Sequence, residues 1–239
     1  MSTPRERPLA EPPIFRARFP VILKKFFWVT YDHVGKLMLA SLLSLLLTLS
    51  FIGIPLAVAL LGTLTTELAS YRVPDFPVLR RNVVRSLGRS LGVTAVGVMG
   101  VTAAVSGIGF YGSDRLGLPL LSLFFLGITL WIGAGFFAWL AVWVPLTFLK
   151  NWPLRRLARL ALDLALQNPL LFLAHLGCQL VVWLVGIVTV VGFVFLSPAL
   201  SFLLGATFTR ELLGQYEPGL VREEEEPRTL VDLFRPWQM

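Results

Sequence analysis

Four stretches of the chain carry no Asp, Glu, Lys or Arg: Leu37 to Thr66, Leu91 to Phe110, Leu116 to Leu149 and Leu170 to Phe208. A membrane span takes about 20 apolar residues, with a range of about 17 to 25. The first, third and fourth runs are therefore long enough to raise the question of doubling back. Basic residues collect between the runs: Arg5 to Lys36 before the first, Arg72 to Arg89 after it, Lys150 to Arg159 after the third, and Arg210 to Arg235 at the end. Only Arg115 falls outside these groups.

Lys and Arg accumulate in loops on the cytoplasmic side of a membrane. If every cluster is cytoplasmic, an even number of crossings separates each pair, and the first run is a hairpin. Its break reads at Gly53-Ile54-Pro55, where Gly ends one helix and Pro opens the next. The second and third runs then cross out and back around "YGSDRLGLP", Tyr111 to Pro119, and the fourth breaks at Ser197-Pro198. The competing reading keeps Leu37 to Thr66 as one tilted helix of about 45 Å, at the expense of placing five arginines outside.

With 56% of 239 residues hydrophobic and 15% charged, the chain has more apolar side chain than a soluble domain buries. These patterns predict an all-α integral membrane protein. It has about six transmembrane helices in three hairpins, with short amphipathic interfacial helices on the cytoplasmic side and both termini cytoplasmic. Residues 1–36 form a basic cytoplasmic N-terminus with an interfacial helix, 37–213 the six-span domain, and 214–239 an acidic cytoplasmic tail with a short docking segment. The N-terminus has no short apolar core behind its charges and is expected to stay in the mature protein.

The basic segments also have helical spacing. Leu79, Val83, Leu87, Leu91 and Val84 share one arc, while Arg81, Arg85 and Arg89 line the opposite side. Such a helix lies in the headgroup plane with its guanidinium groups toward anionic lipid, or presents a docking face to an acidic partner. In "NWPLRRLARLALDLALQNPLLFL", Leu154, Leu157, Ala161 and Leu164 share a face. A second similarity links "PLAVALLGTLTTEL" to "PALSFLLGATFTREL", matching Pro55 with Pro198, Gly62 with Gly205 and, after one inserted residue, Glu67 with Glu211.

Ionisable groups inside a bilayer are costly and mark function. Here Glu67 and Glu211 sit about one turn from the ends of their spans, close enough to reach water or arginine. His175, Cys178 and Gln179 make one polar cluster within a span, with His175 and Gln179 on a common face and an interhelical hydrogen bond as its expected use. Trp139 and Trp143 share a face, for packing or as a platform. No GxxxxGK[ST] or HExxH pattern occurs. Neither catalysis, a cofactor, a metal nor nucleic acid is expected. In the tail, Glu223 to Glu226 form a solvated block, and Leu230, Leu233, Phe234 and Trp237 offer one apolar face for a membrane surface or a protein.

The Leu-rich first span running into "GIPLAVALLGTL", the loop with Phe76 before "RRNVVRSLGRS", and "LRRLARLALDLALQNPLLFL" with its Asn168-Pro169 turn resemble the YesL family of bacterial integral membrane proteins. That domain has no established activity, and no site residues carry over. The resemblance implies the bacterial cytoplasmic membrane and an association with carbohydrate ABC transporter components. The expected function is a non-enzymatic accessory or regulatory membrane protein, contacting anionic headgroups and an ABC transporter permease or other membrane protein. The alternative is a small permease or channel for a neutral solute, lined by Ser41, Ser44, Thr48, Thr102, Ser106, His175 and Gln179.

Overall fold

The structure is a computed structural model that describes residues 15–113 and 117–216. All the regular elements among them are helical: α1 (Phe15–Thr48), α2 (Ile54–Leu68), α3 (Phe76–Gly112), α4 (Pro119–Leu149), α5 (Leu154–Gln167), α6 (Pro169–Thr189), α7 (Val191–Phe195) and α8 (Ser197–Tyr216). Helices α3, α4 and α6 are each long and apolar enough to cross a membrane. Their outward faces, with residues such as Val105, Trp131 and Val188, are exposed and apolar, as lipid contact requires.

The sequence breaks fall where turn chemistry puts them. Helix α1 stops at Thr48, and a short 3-10 turn, Phe51–Gly53, leads into α2 with Pro55 in its first turn. Ser50 Oγ donates to Leu47 O at 3.2 Å and accepts from Gly53 N–H at 3.2 Å. A Cβ on Gly53 would collide with the Leu47 carbonyl, so the turn needs glycine. Helix α3 ends at Gly112 and α4 opens on Pro119; residues 114–116 lie outside the described set. Ser197 and Pro198 open α8, but the outbound apolar run ends earlier than expected. Helix α6 stops at Thr189, Val190 adopts φ 52°, and α7 intervenes.

Of the three expected interfacial segments, only α5 is a helix by itself. The first is the opening part of α1, set off by a kink at His33 (φ −124°, ψ 20°). The arginine segment is the uninterrupted start of α3, whose 37 residues run about 56 Å at 1.5 Å per residue. Gly88 and Gly92 lower helix propensity but break nothing, and no proline lies between Val78 and Gly112.

The centre of the bundle is the pair α2 and α8. Helix α2 packs on α1, α3, α4 and α8; helix α8 packs on α1, α2, α4, α6 and α7. Both are buried nearly all round, from Ala57 to Leu68 and from Ala199 to Leu213. Small residues allow this. A Cβ on Gly62 would strike the Phe148 ring, and one on Gly205 would come within 3.1 Å of Pro145 and 3.2 Å of the Ala141 carbonyl, so both helices press a glycine against α4. Helix α5 buries Leu157, Ala161 and Leu164 on the face the sequence predicts and leaves Arg155, Arg156 and Arg159 exposed.

Candidate functional site: a basic cavity at one end of the bundle

Two polar assemblies stand at the end of the bundle where α2 and α8 finish. The first is closed. Glu211 of α8 pairs with Lys25 of α1 at 3.3 Å, both side chains only 12–13% exposed, and the Lys25 ammonium sits 4.7 Å from the Tyr71 ring centroid. Tyr71 caps α2 at φ 54°, a left-handed position that usually takes glycine. Its N–H bonds to Leu68 O at 2.9 Å and that of Arg72 to Glu67 O at 3.0 Å, satisfying carbonyls that the helix end would orphan. Arg210 donates to Ala69 O at 2.9 Å. Helix α8 is thus tied at its end to α1 and to the cap of α2.

The second assembly is open. A cavity of ≈ 200 Å³ lies between the last turns of α2, the first turns of α3 and the segment leaving α4. Helix α2 supplies Thr63, Thr66 and Glu67; helix α3 supplies Asn82, Arg85, Ser86 and Arg89; Thr147, Lys150 and Asn151 close the third side. The α3 residues recur at i, i+3, i+4 and i+7, which puts them on one helical face. Arg89 is anchored: it donates to Asn151 Oδ1 and, at 3.5 Å, to Thr147 O. Thr63 and Ser86 hydroxyls approach at 3.4 Å, and Thr66 donates to Gly62 O at 2.7 Å. Arg85 is exposed at the rim, and Glu67 is half-buried.

The other residues singled out in the sequence have separate surroundings. Arg81 is exposed and does not line the cavity. His175 is buried and stacks on Phe208, ring centroids 4.3 Å apart, with neither ring nitrogen hydrogen-bonded among the described residues. Gln179 donates to Ser201 O at 2.9 Å, so the pair shares the α8-facing side but only Gln179 makes the expected interhelical bond. Ser41 and Ser44 are used within α1 and at the start of α8, whereas Thr102 and Ser106 are exposed. Trp139 and Trp143 are packing residues: stacked at 4.6 Å, they donate to Ala158 O (2.9 Å) and Leu154 O (3.3 Å) and hold α5 on α4. Leu230, Leu233, Phe234 and Trp237 lie outside the described residues. Among the described residues no three His, Cys, Asp or Glu side chains come together as a metal site needs.

No family model, curated protein or solved structure matches this chain. The functional reading therefore rests on the geometry. Sequence reasoning singled out Arg85 with Arg89 and, apart from them, Glu67; it missed Thr63, Thr66, Asn82, Lys150 and Asn151 as their neighbours. The polar spacing of Asn82, Arg85, Ser86 and Arg89 was the available signal.

Proposed function

We propose that this protein is a non-enzymatic accessory or regulatory protein of the bacterial cytoplasmic membrane. In this reading α1 beyond His33, α2, α3, α4, α6 with α7, and α8 cross as three hairpins, with both termini and the basic end cytoplasmic. Helix α2, at about 22 Å for its 15 residues, is short for a hydrocarbon core of about 30 Å. Its enclosure by α1, α3, α4 and α8 spares it direct lipid contact. The partner is a membrane protein such as the permease of a carbohydrate ABC transporter, as the resemblance to the YesL family implies.

One observation carries the reading: strongly polar chemistry gathers at a single end. Helices α1, α2 and α8 are stapled there by Lys25–Glu211 and Arg210–Ala69, while Arg72, Arg80, Arg81, Arg155, Arg156 and Arg159 project as exposed cations. A stapled frame bearing outward guanidinium groups suits recognition of an acidic protein face beside anionic lipid. Crosslinking followed by affinity purification in mild detergent tests it. Recovery of a transporter permease or another membrane protein is expected, reduced several-fold by Arg155→Glu with Arg156→Glu. Recovery of the chain alone overturns the proposal.

A further inference from the structure

We propose that the cavity between α2, α3 and α4 binds an anionic polyol phosphate, the phosphate held by Arg85, Arg89 and Lys150 and a ligand hydroxyl by Glu67. This goes beyond the accessory reading and needs no protein partner. Three cations and one carboxylate line the cavity, and among the described residues no ion pair joins Glu67 to a basic side chain. Arg85 and Arg89 alone outnumber Glu67, so the balance is positive, which favours an anion.

The guanidinium groups set its type. Arg offers a planar fork of five N–H donors matched to phosphate oxygens. The bonds from Arg89 to Asn151 and Thr147 use two of its donors and fix the group in place before any ligand arrives. Such preorganisation reduces the entropy lost on binding. Lys150 also lines the cavity, and its ammonium stands 4.9 Å from the Trp152 ring centroid.

Glu67 sets the rest of the ligand. A bare phosphate would face this carboxylate across the cavity and be repelled. A ligand whose hydroxyl groups point toward α2 turns the carboxylate into an acceptor, and a charge-assisted hydrogen bond of this kind is stronger than a neutral one. Thr63, Asn82 and Ser86 add neutral polar groups along that wall. The volume, ≈ 200 Å³, lies below the roughly 300 Å³ at which pockets begin to hold drug-sized molecules. It suits a headgroup or a small sugar phosphate. Two sources share this chemistry: the glycerol phosphate headgroup of an anionic phospholipid, and a free polyol phosphate in the cytosol.

Binding to the purified full chain in a neutral detergent separates them. Short-chain phosphatidylglycerol is titrated against phosphatidylcholine of equal chain length, and glycerol 3-phosphate and a hexose phosphate against inorganic phosphate. At least one polyol phosphate is expected to bind tenfold or more tightly than its comparator. Preference for the lipid identifies a headgroup site; preference for the soluble ester identifies a metabolite site. Arg85→Ala, at an exposed rim position, should weaken that binding about tenfold, whereas Arg81→Ala, one turn away on the same helix and outside the cavity, should change it less than twofold. Glu67→Gln should reduce the preference over inorganic phosphate to under threefold. As a check independent of the arginine variants, the ligand should slow maleimide labelling of Ser86→Cys in a Cys178→Ser background. Failure of both titrations, equal losses for Arg81→Ala and Arg85→Ala, or inorganic phosphate binding as tightly as the esters would overturn the proposal.

Discussion

Helices α2 and α8 begin alike and end differently. Each opens on a proline, presses a glycine against α4, runs through threonines that bond back to their own helix, and carries a glutamate in its last turns. Glu211 is spent on Lys25 and the frame, whereas Glu67 looks into a cavity. The difference comes from the neighbours. Helix α8 ends against α1, which offers Lys25 at a nearly buried position. Helix α2 ends against α3, whose arginines rise on a helix that continues outward instead of folding over the carboxylate. One local pattern thus serves as a staple in one place and as a recognition wall in the other.

The largest effect should come from breaking the staple. Removing one partner of a buried ion pair costs about 3–5 kcal/mol because the other charge is left uncompensated. At 12–13% exposure the lower end applies, so Glu211→Gln should lower stability by about 3 kcal/mol. Glu67→Gln should stay within about 0.5 kcal/mol, as changes away from packed features do. Thermal or denaturant unfolding in detergent reads both. A hydrophobic pair, Lys25→Met with Glu211→Leu, should recover most of the loss; equal effects of the two single Glu variants would erase the distinction drawn here.

Next in size are the glycines. Gly62→Leu and Gly205→Leu should each destabilise by about 1–3 kcal/mol, the usual cost of overpacking, because Phe148 in one case and Pro145 with the Ala141 carbonyl in the other must move. Gly97→Ala, with open space around it, serves as the control and should be neutral or slightly stabilising. If Gly62→Leu alone is tolerated, α2 is the more loosely held of the two helices.

Legibility followed the range of the interaction. Breaks at Gly53, between Tyr111 and Pro119, and before Pro198 could be read because Gly and Pro act on their own backbone. The buried face of α5 could be read because Leu157, Ala161 and Leu164 follow a helical period. The continuity of α3 could not: an amphipathic stretch followed by an apolar run has the same pattern whether the helix bends at the headgroups or goes straight on. Nor could the stop at Thr189, since Val190, a β-branched residue at φ 52°, gives no turn signal. The cavity escaped for a third reason. Asn151, Glu67 and Arg85 meet only through the packing of three helices, and no spacing along the chain records that.

The smallest difference lies in the hydroxyl groups. Ser41 of α1 accepts from Ala199 N–H at 3.1 Å, one of the first-turn donors of α8 that its own helix cannot satisfy, and the site is fully buried. With Ser41→Ala that donor is left without a partner where water cannot replace the hydroxyl, so a loss of about 1–2 kcal/mol is expected. Thr63 faces the cavity, and its 3.4 Å approach to Ser86 is near the limit of a hydrogen bond. Thr63→Val keeps the shape, and the Ser86 hydroxyl still donates to Val83 O at 3.0 Å. A change of under about 0.5 kcal/mol is expected. Unfolding midpoints of the two variants side by side decide the matter. A loss at Thr63→Val as large as at Ser41→Ala would mean that the cavity wall helps hold the bundle together, and that α2, like α8, is held by its polar groups.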